Sequence, residues 1–509
     1  MQSVSIRSLA INFPQTIRTN DYWLEKFPDS FAQTKQREVR RTPATDLIPV
    51  PSGIDLWLQE VTPFLADPFR GSVQRRVVKG EESSLLLECQ AARSALAAAK
   101  LTAADIDLAI VSSLFPSDVG PGLATHLAQQ LGLSCPAWNL ESTCASALIA
   151  LQTAQAFVRA GTYRQILIVV SHIGSQAVND ADTLSWSMGD GAGAMVVGAD
   201  GAERGILSMQ IVPTIATCGA YTHELTIDSH GNPRIQTGTG ENVSSLAVTA
   251  ADTVRECCQS AVAAAGMSLD RIDYFAFNTP TAWYASVCAK ALGIDPERVI
   301  DLYPTYANIG PVFPLANLYH AAASGKIRPD DLVLVYANGA GATAAAMVMR
   351  WGNVALGSAS TELVTIRSTN AKRATKAVES FVPLASNAVA STGKGIKERL
   401  LAVPSGDRHA ILEPYLVESL ANLRQLSPTD LDPQVVLTTL LDSLLATIFR
   451  SQLEASLEIR VPMEQFLGER NIRDLTEFLL DRMAIAEMMG GVVRDEGDVD
   501  RSGREVFSL

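Results

Sequence analysis

Two nucleophilic side chains, Cys144 and Ser443, each stand at the start of an apolar run with helical periodicity, in NLESTCASA and in LDSLL. A thiol at the start of a helix feels the positive end of the helix dipole, which lowers its pKa and favours the reactive thiolate. Glu141 would raise that pKa if its carboxylate pointed inward. The pattern favours nucleophilic chemistry at Cys144, and the alternative is a buried, inert cysteine. For Ser443 the alternative is a capping residue, together with Asp442, at a helix start.

The composition excludes several classes of protein. The chain has 509 residues, 47% of them apolar and 19% charged, and its net charge of -13 disfavours nonspecific binding to nucleic acid and a polybasic contact with a membrane. No apolar run is long enough to span a bilayer. The start, MQSVSIRSLAINFP, lacks the layout of a signal peptide and is predicted to be a strand. The seven cysteines include no CxxC pair and no zinc spacing, so we expect reduced thiols, a cytoplasmic setting and no metal site.

The elements that position Cys144 belong to an internal repeat. Residues 91–113 align with residues 257–279 without a gap, with seven identities in 23 positions, and each copy reads as an Ala-rich helix, a turn and an apolar strand. A second helix–strand pair, 142–171, aligns with 305–337 and lays Cys144 over Asn308. The repeat predicts an α/β fold made of two halves packed in layers.

The composition also predicts the domain boundaries. The doubled unit covers residues 1–355, with halves of about 1–200 and 201–355. Residues 356–425 mix Ser, Thr, Ala and Lys without a sustained period and are predicted to be a linker. Residues 426–488 have the periodicity of a small helical bundle, and the Gly-rich, acidic residues 489–509 are predicted to be disordered.

The doubled unit resembles the β-ketoacyl-ACP synthase III branch of the thiolase superfamily. The resemblance depends on ESTCASA around Cys144, on MGDGAGAMVVG about 45 residues later, and on SVQRRVV, DIDLAIVSS, RAGTYRQILIVVS and LVLVYANGAGATAAAMVMRW. It implies a pseudo-symmetric five-layer αβαβα fold that normally forms a homodimer. It also implies that Cys144 is acylated by a thioester, either acyl-CoA or acyl-ACP.

The same resemblance implies the other catalytic groups. In the family a histidine and an asparagine bind the carbonyl of a malonyl thioester and stabilise the enolate that forms on decarboxylation. The asparagine corresponds to Asn308, whereas Asn278 stands where the family has its histidine, and an amide can donate a hydrogen bond but is a poor base. The backbone N–H groups of Cys144 and Ala340 would form the oxyanion hole. Another histidine could take the missing role, with His172 favoured because it follows a strand end and His320 expected to be too far away; the six histidines are His126, His172, His223, His230, His320 and His409.

The C-terminal bundle resembles polyketide-type acyl carrier protein domains. They share an Asp-Ser-Leu, an Arg-x-x-Leu-Glu helix, an Ile-x-Val-Pro loop and an Asn-Ile-x-x-Leu helix. The resemblance implies that Ser443 carries 4′-phosphopantetheine, which a phosphopantetheinyl transferase transfers from coenzyme A. Thr439 and Leu440 stand where such domains have Leu-Gly, and the loss of the glycine would hinder recognition by the transferase.

Together these patterns predict an enzyme, a ketosynthase III-like acyltransferase fused to its own carrier domain, which works by ping-pong thioester chemistry. Polyketide or related secondary metabolism is favoured, because housekeeping fatty-acid systems keep these proteins separate, and the carrier would also meet other biosynthetic enzymes. Two alternatives stay open. One is acyl transfer to oxygen, nitrogen or a carrier thiol without decarboxylation. The other is a catalytically silent synthase scaffold that bears a carrier domain.

Overall fold

The computed structural model describes residues 3–28, 53–116, 122–200, 204–227, 233–358, 396–424, 426–441, 443–457, 459, 461, 463–466 and 470–490. These residues form two compact units, one within 3–358 and the other within 396–490. No helix in these ranges is both long enough and apolar enough to cross a membrane. Most of the predicted linker and, from residue 491 onward, the predicted disordered tail lie outside the described residues.

The first unit is built on two sheets. Its strands are β1 (Ser3–Asn12), β2 (Thr16–Thr19), β3 (Gln74–Val77), β4 (Leu108–Leu114), β5 (Ala137–Asn139), β6 (Gln165–Ile173), β7 (Asp190–Asp200), β8 (Gly205–Pro213), β9 (Tyr221–Ile227), β10 (Pro233–Thr239), β11 (Tyr274–Phe277), β12 (Leu332–Asn338), β13 (Thr343–Arg350) and β14 (Ala355–Leu356). The larger sheet has the order β14-β1-β7-β6-β4-β5 and the smaller has the order β11-β12-β13-β8, while β2 pairs with β3 and β9 pairs with β10.

The two sheets repeat one pairing pattern. In the larger sheet β4 is parallel to β6, and β6–β7 and β7–β1 are antiparallel. In the smaller sheet β11 is parallel to β12, and β12–β13 and β13–β8 are antiparallel. The predicted doubling is therefore confirmed, since the repeat in sequence places β4 over β11 and β6 over β12.

Helices separate and cover the sheets in five layers. The helices Ser146–Arg159 and Phe313–Ala323 lie between the sheets in one apolar core, and nine consecutive residues from Phe313 to Ala321 are buried. The helices Ser84–Ala99 and Ala124–Leu131 cover the larger sheet, and Val243–Ala264, Tyr284–Leu292 and Gly53–Val61 cover the smaller one. Because both sheets are covered on both faces, inner strands such as β4 and β6 are buried along nearly their whole length, and they are apolar except near their ends. Shorter helices are Asp21–Lys26, Gly174–Ala177 and Tyr303–Tyr306.

The second unit is a helical bundle around its own core. Its helices are Ile396–Leu401, His409–Arg424, Leu437–Leu440, Ser443–Leu457 and Ile472–Gly490. The first two helices fall within the predicted linker, yet Leu400, Leu412, Leu416 and Leu420 are each 0% exposed in the core of this bundle. These side chains belong to the packed unit, so the described part of that unit extends N-terminally to residue 396 rather than to 426.

Candidate active site

Cys144 lies in a short 3-10 turn, Thr143–Ala145, that leads directly into the central helix Ser146–Arg159. The Ser142 N–H donates to Ser146 Oγ at 2.7 Å, and that hydroxyl donates to the Thr143 carbonyl at 2.7 Å. Thr143 has a φ of 49°, a left-handed conformation that is costly for a β-branched residue. The turn therefore holds a strained backbone immediately before the half-buried Cys144.

The electrostatics of Cys144 differ from the prediction. Burial raises the pKa of its thiol to about 12, and the hydrogen bond from its own backbone N–H offsets only part of that effect. The prediction that the helix start lowers this pKa is therefore wrong, because desolvation of the thiolate outweighs the dipole at the end of one helix. The resting thiol is therefore protonated near pH 7.

Glu141 does not point at the thiol. Its carboxylate accepts hydrogen bonds from Ser112 Oγ and from the Ser113 N–H, both at 3.0 Å, at the end of β4. Ser113 Oγ donates in turn to Glu88 at 2.6 Å, and Ser171 Oγ at the end of β6 donates to the same Glu88 oxygen at 2.6 Å. Burial raises the pKa of Glu88 to about 7 and also raises the pKa of Glu141. This cluster ties the segment before Cys144 to the strand ends.

Sequence reasoning missed the role of Glu88. The available signal was a single carboxylate, Glu88, inside the largely apolar stretch SLLLECQAA, at a position that faces the sheet. A buried carboxylate requires hydrogen-bond donors, and the serines at the ends of β4 and β6 supply them.

Asn308 is held by the main chain on both sides. Its N–H donates to the Ser187 carbonyl at 2.7 Å, and its carbonyl accepts from the Gly189 N–H at 2.9 Å. Its side-chain Oδ1 accepts from the Gly310 N–H at 2.9 Å, whereas its Nδ2 meets no acceptor among the described residues. The turn Gly310–Val312 packs against the turn that carries Cys144. Asn308 therefore lies just before a turn that packs against the Cys144 turn, and its Nδ2 remains available as a donor.

Asn278 contacts the same turn, Gly310–Val312, but its side chain is not open to a ligand. It is 0% exposed, and its backbone N–H donates to the Tyr336 carbonyl at 2.9 Å. Its Nδ2 donates to the Gly310 carbonyl at 3.1 Å, and its Oδ1 is buried without a partner among the described residues. The side chain therefore supports the turn that follows Asn308.

The glycine-rich loop after β12 leaves one backbone donor unused. The N–H groups of Gly339, Gly341 and Ala342 donate to the Thr343 carbonyl at 2.9 Å, to Thr217 Oγ1 at 2.7 Å and to the Gly339 carbonyl at 3.2 Å. The Ala340 N–H finds no acceptor in the part of the chain that the structure describes. Of the four, Ala340 is therefore the residue whose N–H remains for a ligand.

This loop touches the turn that carries Cys144. A Cβ atom added at Gly339 would lie 2.5 Å from Thr143 Oγ1 and 2.6 Å from the Ser142 carbonyl oxygen. Ser142 Oγ and Thr343 Oγ1 lie 2.7 Å apart across the same junction. The backbone N–H of Cys144 bonds only its own sulfur within the described residues. Two N–H groups that could receive one oxyanion therefore belong to segments in direct contact.

The histidines separate into two groups. His172 is buried, with Nδ1 at 2.7 Å from the Gly189 carbonyl, and His320 is buried with Nε2 at 3.0 Å from the Tyr306 hydroxyl. Burial lowers the pKa of each to about 4, so both imidazoles are neutral near pH 7. His320 was expected to be too far from Asn308 to act with it, and its ring contacts the hydroxyl of Tyr306, two positions before Asn308 in the sequence. The remaining histidines are His126 and His223 on the first unit, His409 on the second, and His230 outside the described residues.

Ser443 is the first residue of the helix Ser443–Leu457, as the sequence predicted for its position, and Asp442 lies outside the described residues. The helix packs through Phe449 and Leu453, both 0% exposed, onto the bundle core. Its N-terminus is a favourable place for a phosphate, because backbone N–H groups and the helix dipole point toward it. A serine hydroxyl at that position fits the attachment of a phosphodiester-linked group. Among the described residues no cluster of His, Cys, Asp or Glu could hold a metal ion.

Known proteins match both units. The family model for 3-oxoacyl-[acyl-carrier-protein] synthase III matches residues 138–213, the model for its C-terminal part matches 262–351, and the model for the phosphopantetheine attachment site matches 415–479. The β-ketoacyl-[acyl-carrier-protein] synthase III of Bartonella henselae is 34% identical over 291 residues, which cover 55% of this chain and 88% of that protein.

Solved structures agree in fold. The 3-oxoacyl-[acyl-carrier-protein] synthase III of Aquifex aeolicus is 24% identical, covers 68% of this chain and 100% of its own, and has a TM-score of 0.54. The priming β-ketosynthase of the R1128 polyketide pathway is 20% identical, covers 69% of this chain and 97% of its own, and has a TM-score of 0.56. The predicted thiolase-like fold is confirmed. The chain belongs to the β-ketoacyl-[acyl-carrier-protein] synthase III family of condensing enzymes and carries a phosphopantetheine-attachment domain at its C-terminal end.

Proposed function

We propose that Cys144 takes an acyl group from an acyl thioester and that the enzyme condenses it with a second thioester presented by its own carrier domain. The observation that carries this proposal is that three donors lie on segments that meet at Cys144: its own N–H, which bonds only its own sulfur, and the Ala340 N–H and Asn308 Nδ2, which have no acceptor among the described residues. We place the reaction in polyketide or related secondary metabolism, because a synthase fused to its own carrier suits a dedicated pathway. A cytoplasmic homodimer is part of the same proposal.

Acylation begins when Cys144 Sγ attacks the thioester carbonyl carbon. The bond from that carbon to the departing sulfur breaks, and the departing thiolate takes the proton that leaves Cys144. Because burial raises the pKa of Cys144 to about 12, this proton transfer accompanies the attack rather than precedes it. The N–H groups of Cys144 and Ala340 stabilise the tetrahedral oxyanion, and each such donor contributes about 100-fold or more to the rate.

Condensation uses Asn308. Its Nδ2 donates to the carbonyl oxygen of a malonyl-type thioester, the bond to the carboxylate breaks, carbon dioxide leaves, and the electron pair moves into the enolate. The enolate carbon attacks the acyl carbon on Cys144, the bond from sulfur to that carbon breaks, and the sulfur leaves as a thiolate that takes a proton from water. Asn278 does not face the substrate, so one side-chain donor replaces the pair that the family uses.

Ser443 fits the role of attachment residue, because it is the first residue of a helix whose N-terminus favours a phosphate. When bound there, 4′-phosphopantetheine supplies a terminal thiol that holds the second substrate as a thioester. Because both units belong to one chain, the local concentration of that substrate is on the order of millimolar. The modifying phosphopantetheinyl transferase and other biosynthetic enzymes are the partners that such a carrier would meet.

A second candidate is acyl transfer without decarboxylation. It is favoured by the burial of Asn278, whose amide donor is already bonded to the Gly310 carbonyl. This leaves Asn308 as the single proposed side-chain donor for the enolate, which slows decarboxylation more than it slows acyl transfer to oxygen, nitrogen or a carrier thiol. Analysis of the product separates the two reactions, since plain transfer releases no carbon dioxide and forms no β-keto group.

Peptide-resolved mass spectrometry tests the acylation site. The protein, prepared with a phosphopantetheinyl transferase, is incubated with a panel of acyl-CoA thioesters. We expect acyl mass on the Cys144 peptide, its loss in Cys144→Ala, and its retention in Cys135→Ala, where the replaced cysteine is also half-buried. Phosphopantetheine mass should appear on the Ser443 peptide and vanish in Ser443→Ala. If Ser443 carried phosphopantetheine but Cys144 were never acylated, the result would instead support a catalytically silent synthase scaffold that bears a carrier domain.

A further inference from the structure

His172 lies at the end of β6, 2% exposed, in direct contact with the segments that hold Asn308. Its Nδ1 is 2.7 Å from the carbonyl oxygen of Gly189. A carbonyl oxygen only accepts hydrogen bonds, so Nδ1 carries the proton and donates it. Burial lowers the pKa of His172 to about 4, so the ring is neutral and Nε2 keeps its lone pair.

The imidazole fills a gap between two glycines. A Cβ atom at Gly174 would lie 2.4 Å from His172 Cε1, and a Cβ atom at Gly310 would lie 2.6 Å from His172 Cδ2. The ring of Phe115 lies against it, with centroids 5.4 Å apart at 67°. The ring is fixed in place by close packing on both edges, which a flexible surface histidine would not require.

The contacts of His172 lead to Asn308 by two routes. The carbonyl of Gly189 accepts from His172, and the N–H of the same Gly189 donates to the Asn308 carbonyl at 2.9 Å. On the other side the ring touches Gly310, whose N–H donates to Asn308 Oδ1 at 2.9 Å and whose carbonyl accepts from Asn278 at 3.1 Å. Because Oδ1 is bound in this way, Asn308 Nδ2 is directed away from Gly310 as a donor.

We propose that His172 is a positioning residue for Asn308: its Nδ1–H anchors Gly189, its ring fixes Gly310, and neither ring nitrogen exchanges a proton with the substrate. This rests on the proposed function of Asn308 in the condensation step. It also gives Asn278 a defined task, since that amide holds Gly310 from the face opposite its N–H. The site thus uses an amide and a buried imidazole to orient a single asparagine.

Two substitutions separate positioning from proton transfer. His172→Asn keeps an amide N–H near the place of Nδ1 and loses Nε2, whereas His172→Gln places its amide near Nε2 and loses the donor to Gly189. We expect His172→Asn to condense within about fivefold of the wild type, and His172→Gln to lose about 100-fold, the scale of an approximately 1 Å misplacement. Acylation of Cys144 by acyl-CoA should stay within about threefold in both, because Asn308 does not act in that step.

Hydrogen exchange supplies a readout that does not depend on turnover. In His172→Gln the amide of Gly189, which bonds the Asn308 carbonyl, should exchange about tenfold faster or more, and in His172→Asn it should stay near the wild-type rate. The amide of Gly310 should exchange faster in both variants, because both lose the ring that packs against it. Equal loss of condensation in both variants would show that Nε2 takes part in the chemistry and would overturn the proposal. Unchanged exchange and condensation in His172→Gln would overturn it as well.

The outcomes remain separable from the proposed function. If the wild type acylates Cys144 but never condenses, the proposed function fails while the exchange rates of Gly189 and Gly310 still decide whether His172 holds them. If His172→Gln does not fold, His172→Asn decides alone. Near-wild-type condensation and near-wild-type exchange of Gly189 support positioning, and a loss of condensation of 100-fold or more, on the order expected when a general base is replaced by an amide, contradicts it.

Discussion

Gly339→Ala should slow acylation of Cys144 by pushing the oxyanion loop away from the nucleophile. The new Cβ would lie 2.5 Å from Thr143 Oγ1, 2.6 Å from the Ser142 carbonyl oxygen and 2.9 Å from the Thr343 carbonyl oxygen, whereas ordinary contacts begin at 3.4 Å. The two segments must therefore separate by roughly 0.8 Å, and a shift of that size at a reacting group costs about 100-fold in rate. One lost oxyanion donor has a similar effect, about 2.7 kcal/mol in activation free energy.

The assay is the rate of acyl transfer from acyl-CoA to Cys144, followed by intact-protein mass spectrometry in single turnover. Gly352→Ala is the matched control, because its nearest neighbouring atoms are 3.9 Å from the added Cβ. Alkylation of Cys144 by iodoacetamide serves as a second control, since that reaction forms no oxyanion. Gly339→Ala should alkylate at nearly the wild-type rate and acylate slowly. Acylation within about threefold of the wild type would refute the assignment of this loop as the oxyanion hole.

Three further outcomes follow from particular contacts. Leu400→Ala should lower the unfolding free energy of the carrier unit by about 2–5 kcal/mol, as for other buried leucines, whereas Leu401, which is 44% exposed, should change it by less than about 1 kcal/mol when replaced by Ala. Urea unfolding followed by hydrogen exchange in the carrier peptides measures both changes, and equal effects would exclude helix Ile396–Leu401 from the core. Because burial raises the pKa of Cys144 to about 12, its alkylation rate should rise about tenfold per pH unit from pH 7 to 10, and a plateau near pH 8 would contradict that pKa. Thr143→Gly removes the steric cost of a left-handed φ of 49° at a β-branched residue, together with a buried hydroxyl that has no partner among the described residues. The unfolding free energy of the first unit should therefore increase by about 1 kcal/mol, and a lower melting temperature would argue against strain at this turn.

The architecture could be predicted from the sequence, because buried apolar residues recur with the period of the helix or strand that carries them. The aligned pairs 91–113 with 257–279 and 142–171 with 305–337 correspond to equivalent helices and strands of the two sheets. Inner strands such as β4 and β6 are apolar except near their ends, because both faces of the sheet are covered. The positions of Cys144 before the central helix and of Ser443 at a helix start follow from the same periodicity.

Contacts between residues far apart in the sequence could not be predicted, because they produce no periodic pattern. Asn278 and Gly310 are 32 positions apart, and no local pattern shows that one donates a hydrogen bond to the other. The pKa of Cys144 was predicted from one helix, whereas it depends on burial by several segments. His172 was favoured because it follows a strand end, but only the structure shows that its neighbours Gly174 and Gly310 have room for no side chain.

The sequence predicts that the carrier unit starts at residue 426, whereas its packed helices begin at residue 396, and the local composition explains the difference. The helix His409–Arg424 contains Pro414, which normally interrupts a helix, and the preceding residues mix small and charged side chains. Packing of Leu412, Leu416 and Leu420 in the core of the bundle offsets that unfavourable propensity. Tertiary burial therefore decides the structure of this segment.

The most direct test of the central claim follows one acyl group through the enzyme. The protein is loaded with an acyl group on Cys144 and with a malonyl thioester on the phosphopantetheine of Ser443, and the two peptides and the released carbon dioxide are measured together in a single turnover. Condensation predicts that Cys144 loses its acyl mass, that one carbon dioxide is released, and that the Ser443 peptide carries the acyl group extended by two carbons. Acyl mass that stays on Cys144, or that reaches Ser443 unextended and without carbon dioxide, would contradict condensation with Asn278 in place of the family histidine.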